Sequence, residues 1–345
     1  MTPPICYCKE RVSATKQSLS LALAKEFRLL RFARHDSEKA RHNILKIIIC
    51  FVLPLLIAGK AFALDRFVWD SHHTVVGEVK KHVISDNETL LDIARWYDLG
   101  YNQIILANPE YDPWIPPAGK EVVIPSQYVL PSVKTGLVVN LAEMRLYFFT
   151  KEGDKNVVYT APIGIGTDGK LTELGIYTIV RKRKNPPWHV PESIRKEEPD
   201  LPKVVPPGPE NPLGTRAFYL SRGSYMIHGT NKPWGIGRRV SHGCMRLYPE
   251  DIEALYPLVP VGTPVTVIYE PYKLGLKGNK VYLQVFPDFE NKITSSFAEI
   301  IRLSNFLKKE QSGKIILYWM EIRKFLEEKD GIPHIVGEIK GIPPN

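Results

Sequence analysis

Two short runs, His228-Gly-Thr230 and Ser241-His-Gly-Cys-Met-Arg-Leu247, specify more of this protein's architecture and chemistry than any other part of the chain. Cys244, in the second run, is the chemically distinctive residue. The other three cysteines of the sequence lie within the first 50 residues, in or before an export signal described below. A processed chain would therefore keep a single thiol, and a single thiol cannot form a disulfide within the chain.

A cysteine acts as a nucleophile through its thiolate, so a thiol with an ordinary pKa needs an activating partner such as an imidazole. His242 precedes Cys244 by two residues, and on an extended strand both side chains would leave the same face. His228 lies 16 residues before Cys244, a separation that lets a second strand return beside the first. Gly243 suits a turn whose N–H groups face an oxyanion.

Two other interpretations of these residues stay open at this point. A single cysteine flanked by histidine and glycine can be a buried structural thiol. A zinc ion held by His228, His242 and Cys244 would have three protein ligands and one open position, as catalytic zinc sites do. Beyond the first 63 residues, the sequence offers neither a second cysteine nor a His-x-x-x-His pair in support of zinc.

The pattern of His228-Gly229, a gap in the mid-teens, and Ser-His-Gly-Cys followed by Met245-Arg246 resembles the L,D-transpeptidases, periplasmic enzymes that remodel peptidoglycan. The resemblance covers roughly residues 77 to 345. It implies that no metal or organic cofactor is required. The residues that it implicates are Cys244, His228 and His242 in a catalytic group, and Gly243, Gly229, Ser241 and Arg246 in a supporting group.

The resemblance also implies how some of these residues act. His228 would take the Cys244 proton, and the Gly229 carbonyl would hold the imidazole in the useful tautomer. The Gly243 and Cys244 N–H groups would form the oxyanion hole. Arg246 would contact a substrate carboxylate, and a structural ion pair is the alternative for this arginine.

The implied reaction begins with attack of the thiolate on the carbonyl of meso-diaminopimelate at position 3 of a stem tetrapeptide, with expulsion of D-alanine. The partners are therefore the glycan strands and stem peptides of peptidoglycan. An amine then resolves the thioester, either a second stem's diaminopimelate in a 3-3 crosslink or the terminal lysine of an outer-membrane lipoprotein. The alternatives are a hydrolase at the same site, acting as an L,D-carboxypeptidase or releasing lipoprotein, and a non-catalytic wall-binding protein.

The net charge of +9 belongs to the beginning of the chain. Residues 1–63 contain 11 basic against 4 acidic residues, and the remainder contains 35 against 33, which argues against a nucleic-acid-binding protein. Residues 47–59 are a 13-residue apolar run that leads into Ala61-Phe-Ala63. This pattern predicts a long n-region and a cleavable signal peptide over residues 1–63, hence a periplasmic protein rather than one anchored in the inner membrane. Residues 64–76 are then expected to be a linker.

Residues 77–126 carry the order strand, helix, helix, strand. Glu78–Ile84 alternates like a strand, and Ser85-Asp-Asn-Glu88 has capping-box spacing before a helix expected over Thr89–Tyr97. The segment resembles the lysin motif (LysM), a peptidoglycan-binding module, and a small adaptor without a ligand is the alternative. Because it holds no candidate catalytic residue, a chain that begins near Ser132 is expected to keep its activity on soluble substrates.

From Val133 the pattern changes to short strands, which predicts a β-sandwich-like catalytic domain over residues 133–270, with Cys244 on a strand edge. Gly164-Ile-Gly-Thr-Asp-Gly169 matches a dinucleotide-binding pattern, but it leads into another strand rather than a helix, so we interpret it as a substrate-side loop. Residues 184–214 contain nine prolines and are expected to form an ordered wall over the active site. A disordered loop is the alternative.

Residues 271–345 are predicted to form a C-terminal extension that packs against the catalytic domain. It contains a hairpin around Lys277-Gly-Asn-Lys280 and two helices, the second from Ile315 to Lys329. The fold class predicted for the chain is mainly β, with a small βααβ LysM domain, a β-sandwich-like L,D-transpeptidase catalytic domain and a mixed C-terminal extension.

Overall fold

The computed structural model describes residues 64–170, 172–310 and 313–341. These residues belong to one compact unit. The signal peptide predicted over residues 1–63 lies outside the described residues. Within the described ranges, no helix is long and apolar enough to span a membrane.

The N-terminal part of the described chain contains five strands and two helices. In chain order they are β1 (Asp65–Trp69), β2 (Val75–Gly77), β3 (Lys80–Val83), α1 (Leu90–Trp96), α2 (Tyr101–Leu106), β4 (Glu121–Ile124) and β5 (Gln127–Val129). β3 pairs antiparallel with β4, and β2 pairs antiparallel with β5. The predicted order of strand, helix, helix and strand is confirmed.

The first helix begins later than its predicted capping box. The Thr89 side chain accepts from the Asp92 N–H at 3.1 Å, and the Asp92 carboxylate accepts from the Thr89 N–H at 3.1 Å, so these two residues form the box. The Glu88 carboxylate instead accepts from the Ser85 N–H at 2.9 Å and contacts His82 Nε2 at 3.0 Å. The residues of the predicted capping box, Ser85–Glu88, therefore form a turn before the helix, because the Glu88 carboxylate contacts His82 of β3.

The central part of the chain contains the large sheet. The strands of this part of the chain are β6 (Gly136–Asn140), β7 (Arg145–Glu152), β8 (Lys155–Pro162), β9 (Ile165–Gly166), β10 (Gly175–Lys184), β11 (Trp188–His189), β12 (Val204–Val205), β13 (Arg216–Leu220), β14 (Met226–His228), β15 (Arg239–Ser241), β16 (Met245–Arg246) and β17 (Pro264–Ile268). Its helices are α3 (Glu192–Glu197), a 3₁₀ turn (Pro233–Gly235) and α4 (Pro249–Leu258). Nine strands form one mixed sheet in the order β1-β8-β7-β6-β17-β10-β13-β14-β16. The prediction of a mainly β protein is confirmed.

β1 is the edge strand of this sheet, so the expectation that residues 64–76 form a linker was wrong. All five residues of β1 pair antiparallel with β8. Phe67 and Trp69 alternate with exposed residues along β1 and pack on the buried core. The pairing arises because the outer edge of β8 has free backbone groups that a neighbouring strand can satisfy.

Near β6 both faces of the large sheet are covered. Leu137 and Val139 point into a core that also contains residues of α4, β14 and β16. Val138 points to the opposite face, into a core that contains Leu90 and Ile93 of α1. The N-terminal part therefore shares one hydrophobic core with the sheet instead of forming a separate one.

The C-terminal extension contains a second sheet. Its elements are β18 (Tyr272–Lys277), β19 (Lys280–Val285), α5 (Ser296–Glu310), β20 (Lys314–Leu317), α6 (Trp319–Glu328) and β21 (His334–Lys340), with the strands in the order β18-β19-β21-β20. The hairpin of β18 and β19 was predicted. The helix predicted from Ile315 was wrong at its start, because residues 314–317 pair with β21, a strand that was not predicted.

Candidate active site

The parallel pairing of β14 and β16 brings His228 and Cys244 to one edge of the large sheet. Ile227 lies opposite Met245, and His228 lies opposite Arg246. Ile227 and Met245 are both buried in the core. Because side chains alternate along a strand, His228 and Arg246 lie on the other face, together with Cys244, which directly precedes β16.

The His228 imidazole is buried, with 3% of the residue exposed. Its Nδ1 lies 2.6 Å from the Gly229 carbonyl oxygen. Since a carbonyl only accepts, Nδ1 carries the hydrogen, and Nε2 of the neutral ring is the acceptor. Burial and then the charge of Arg246 lower the pKa of His228 to about 3. At neutral pH the ring is therefore uncharged, and its Nε2 carries no proton.

The Cys244 thiol is half-buried and donates to the Ser224 carbonyl oxygen at 3.8 Å. Burial raises the pKa of this thiol, and the Met226 N–H and the charge of Arg246 oppose that rise only in part. The resting site thus holds a neutral thiol and a neutral imidazole on one face of the sheet. It is not a preformed pair of thiolate and imidazolium.

A tight turn presents Cys244. The Ser241 hydroxyl donates to the Cys244 carbonyl oxygen at 2.5 Å and accepts from the Gly243 N–H at 3.2 Å. The Thr172 hydroxyl donates to the Gly243 carbonyl oxygen. Gly243 has a φ of 106°, and a Cβ at this position would lie 3.0 Å from the Tyr225 ring. Glycine is required here for both its backbone angle and its lack of a side chain.

This turn changes two expectations. His242 and Cys244 do not lie on one strand, because β15 ends at Ser241, β16 begins at Met245, and the chain bends at His242 and Gly243 between them. The Gly243 N–H is also engaged by the Ser241 hydroxyl, so it is not free to face an oxyanion. Of the two predicted oxyanion donors, the Cys244 N–H is the one that the turn leaves as a candidate.

His242 is exposed and contacts the proline-rich segment 184–214, which we call the lid. Its Nε2 lies 3.0 Å from one carboxylate oxygen of Glu197, the last residue of α3. The other carboxylate oxygen accepts from Lys170 Nζ at 2.8 Å. These contacts join the lid, the 164–170 loop and the Cys244 turn.

The lid has regular structure, as predicted for an ordered wall. β11 pairs antiparallel with β12, and α3 lies between them. The buried Asn211 amide donates to the carbonyl oxygens of Pro186, Val205 and Pro206 at 2.9, 3.2 and 3.1 Å. One side chain therefore joins the two ends of the lid.

Arg246 is partly buried beside His228. Within residues 64–170, 172–310 and 313–341 it forms no ion pair, and its buried Nε has no hydrogen-bond partner. The structural ion pair considered for this arginine is therefore not found in the described part of the chain. Burial lowers the pKa of Arg246. A partly desolvated guanidinium of this kind can bind a substrate carboxylate.

The N-terminal part holds the loop that connects His228 to Ser241. The Tyr101 N–H donates to the Ile236 carbonyl at 3.1 Å, and the Asn102 N–H donates to the Gly237 carbonyl at 3.2 Å. The Arg238 guanidinium lies 3.6 Å from the centre of the Tyr101 ring. The start of α2 thus fixes the position of the active-site loop.

Arg239 connects the same loop to the C-terminal extension. Its Nη2 donates to Asp168 at 2.7 Å and to Glu290 at 3.0 Å. The Thr167 N–H donates to the Ser241 carbonyl at 2.9 Å. The glycine-rich loop at 164–169 therefore borders the Cys244 turn, where a substrate-side loop was predicted.

A zinc site built from His228, His242 and Cys244 would need their ligand atoms close together. In the part of the chain that the structure describes, these three do not form a group of closely spaced ligand atoms; the group that does consists of Glu328, Asp330 and His334 in the extension. His228 Nδ1 is hydrogen-bonded to the Gly229 carbonyl oxygen, and His242 Nε2 is hydrogen-bonded to the Glu197 carboxylate.

Sequence reasoning missed Tyr225 and Glu197, and it assigned no contact to Thr172. Neither Thr172 nor Glu197 has a local sequence signal, because Thr172 lies 71 residues from Gly243 and Glu197 lies 45 residues from His242.

The family model of the L,D-transpeptidase catalytic domain, YkuD, matches residues 134–267. The chain is similar to three Escherichia coli K12 proteins named as probable L,D-transpeptidases. ErfK/SrfK is 42% identical over 234 residues, which is 66% of this chain and 74% of the relative. YcfS is 42% identical over 215 residues (59% and 67%), and YbiS is 45% identical over 208 residues (58% and 67%).

Proposed function

Because the chain belongs to the L,D-transpeptidase family, we propose that Cys244 forms a thioester with the meso-diaminopimelate of a stem tetrapeptide, expels D-alanine, and passes the acyl group to an amine. L,D-transpeptidases act on peptidoglycan, and the stem peptide is therefore the substrate class. Cys244 is the nucleophile and His228 is the general base in this proposal.

The observation that carries the proposal is the neutral, tautomer-fixed His228 on the same sheet face as the Cys244 thiol. Since the pKa of the thiol is raised and that of the imidazole is lowered, separated charges are unfavourable before substrate binds. The proton moves from Sγ to Nε2 as sulfur attacks the carbonyl carbon. His228 then gives this proton to the departing D-alanine amine.

Two further groups support the transition state. The Cys244 N–H lies on the attacking residue itself and is our candidate donor to the oxyanion. Arg246 supplies a cation without a counter-ion among the described residues, which suits a carboxylate of the stem peptide. Ser241 and Gly243 hold the turn, and we assign them no direct contact with substrate.

The acceptor decides the product. A diaminopimelate amine of a second stem gives a 3-3 crosslink, and the terminal lysine of an outer-membrane lipoprotein gives a tether. Water in place of the amine gives an L,D-carboxypeptidase or releases lipoprotein. Peptidoglycan is the partner in each case.

Intact-protein mass spectrometry tests the first half-reaction. On mixing with a tetrapeptide muropeptide, the protein should gain the mass of the acyl group and release one equivalent of D-alanine. Cys244→Ala should do neither, and Cys244→Ser should turn over at least about 10²-fold more slowly. A chelator should leave the rate unchanged. A wild-type protein that never gains the acyl group would refute the proposal.

We also propose that residues 77–126 bind glycan strands and that the enzyme works in the periplasm. Trp114 and Ile115, in the loop before β4, are 54% and 82% exposed, and exposed apolar side chains of this kind can contact a sugar ring. The periplasmic location rests on the leader pattern of residues 1–63. We propose residues 133–270 as the catalytic domain and residues 271–345 as its C-terminal extension.

A further inference from the structure

Three charged or titratable side chains from three separate segments meet beside the Cys244 turn. Glu197 of the lid lies between Lys170, at 2.8 Å, and His242, at 3.0 Å. Hydrogen bonds from Lys170 and then from His242 lower the pKa of Glu197, so its carboxylate stays ionised. The lid thus places a fixed negative charge against an imidazole that is two residues from Cys244.

The contact fixes the tautomer of His242. A carboxylate only accepts hydrogen bonds, so Nε2 of His242 carries a hydrogen that it donates to Glu197. In the neutral ring the lone pair is then on Nδ1. An imidazole that is held by a carboxylate through one nitrogen and is unprotonated at the other is arranged to act as a base, because the carboxylate stabilises the imidazolium that forms.

The two histidines near Cys244 differ in access. His228 is 3% exposed, whereas the His242 side chain is 38% exposed. The first half-reaction needs a base for a half-buried thiol, which His228 can serve. The second needs a base for an amine that arrives from solvent, and a partly exposed imidazole can meet such an amine at the protein surface.

We propose that Glu197 is a positioning residue for the second half-reaction and that His242, which it holds, is the base for the acceptor amine. This inference rests on the proposed function. The acceptor enters as a free amine, and its nitrogen forms a bond to the thioester carbonyl carbon. The nitrogen gives one proton to Nδ1 of His242, and the bond from carbon to sulfur breaks. The departing Cys244 thiolate takes a proton from water, and His242 releases its proton to water. The thiol and the neutral imidazole are both restored.

The test separates the two half-reactions. A tetrapeptide muropeptide is mixed with each protein variant, with and without an amine acceptor, and three rates are followed: thioester formation by intact mass, amide formation, and hydrolysis. Glu197→Gln keeps the size of the side chain and removes its charge. It should leave thioester formation within about twofold and slow amide formation at least about tenfold, so that hydrolysis takes a larger share of the acyl-enzyme.

Glu192→Gln is the matched control. Glu192 lies on the same helix and pairs with Lys196 at 3.3 Å, outside the site. This variant should leave the ratio of amide formation to hydrolysis unchanged.

His242→Asn supplies the second variant, and it should reduce amide formation about as much as Glu197→Gln does. The double variant should be no slower than either single one, because Glu197 acts through His242. Additive losses, an unchanged product ratio in Glu197→Gln, or equal losses in both half-reactions would overturn the inference. A wild-type protein without any thioester would instead overturn the proposed function.

Discussion

The backbones of Gly100 and Gly237 touch where the N-terminal part meets the loop between His228 and Ser241. A Cβ on Gly100 would lie 2.8 Å from the Gly237 Cα, and a Cβ on Gly237 would lie 2.2 Å from the Tyr101 nitrogen. No side chain fits between the two segments. The position of the active-site loop therefore depends on a contact with a part of the chain that contributes no catalytic group.

Gly237→Ala should separate these segments. The new Cβ collides with backbone, which cannot rotate away, so we expect a loss of more than about 3 kcal/mol in the free energy of unfolding or an insoluble protein. Gly119→Ala is the control, since Gly119 has nearly the same φ, 77° against 75°, and open space around it. That control should cost only about 1–2 kcal/mol for the backbone angle. Urea unfolding of both variants measures the difference, and equal losses would show that the close contact is unimportant.

Removal of the residues before Ser132 should unfold the catalytic sheet. This reverses the expectation drawn from the sequence, because Val138, Tyr147, Phe149 and Val158 of the sheet lie in the core shared with the N-terminal part. Exposing each would cost about 1.5–3 kcal/mol. The sum is comparable with the ~5–15 kcal/mol that stabilises a typical domain.

Circular dichroism during heating checks this prediction. A chain that begins at Leu64 should unfold cooperatively, and a chain that begins at Ser132 should not. A cooperative transition in the shorter chain, together with thioester formation, would restore the view that the small domain is independent.

Alkylation of Cys244 should reveal a thiol that is not pre-ionised. Because burial raises its pKa, the rate with iodoacetamide should keep rising through about pH 8 without a plateau near neutrality. His228→Ala should change this rate little, since the neutral imidazole, with its pKa of about 3, does not hold a thiolate. Arg246→Gln should slow it, because the guanidinium charge favours the thiolate. A plateau at about pH 6–7 that disappears in His228→Ala would instead demonstrate an ion pair.

Stability should fall as pH rises, because of a buried pair of carboxyl groups. The carboxyl oxygens of Asp98 are buried, and Asp251 is buried as a whole residue. Burial raises the pKa of Asp98 to about 7, with Arg145 opposing and Asp65 adding to the rise. Burial and the neighbouring Asp98 raise the pKa of Asp251 well above its ordinary value. The unfolded value is about 4, so the folded state binds more protons between about pH 4 and 7. The contribution of this pair to the free energy of unfolding therefore decreases across that range.

Asp251→Asn tests this pair, since it leaves Asp98 without an acidic neighbour. The variant should lose less stability between about pH 5 and 8 than the wild type, as followed by melting temperature in parallel buffers. Asp154→Asn, at an exposed turn, should show the same change of melting temperature with pH as the wild type. Identical slopes in all three proteins would exclude the pair as the cause.

The sequence by itself determined the chemistry at the centre of the site. The motif around Cys244 requires glycine at position 243, and the structure shows a turn there that excludes a side chain. The contact between His228 and the Gly229 carbonyl follows from adjacent residues. Short strands and the small strand, helix, helix and strand unit were also predictable, since alternation and turn residues are local signals.

Only the tertiary structure decided how the rest of the chain supports that centre. The pairing of β1 with β8 and the hydrogen bond that His242 donates to Glu197 join residues far apart in sequence. The contact of Gly100 with Gly237 depends on the shapes of two surfaces. Such contacts form because a folded sheet has free edges and a loop has polar groups that must find partners, and no periodicity within one segment encodes which distant segment supplies them.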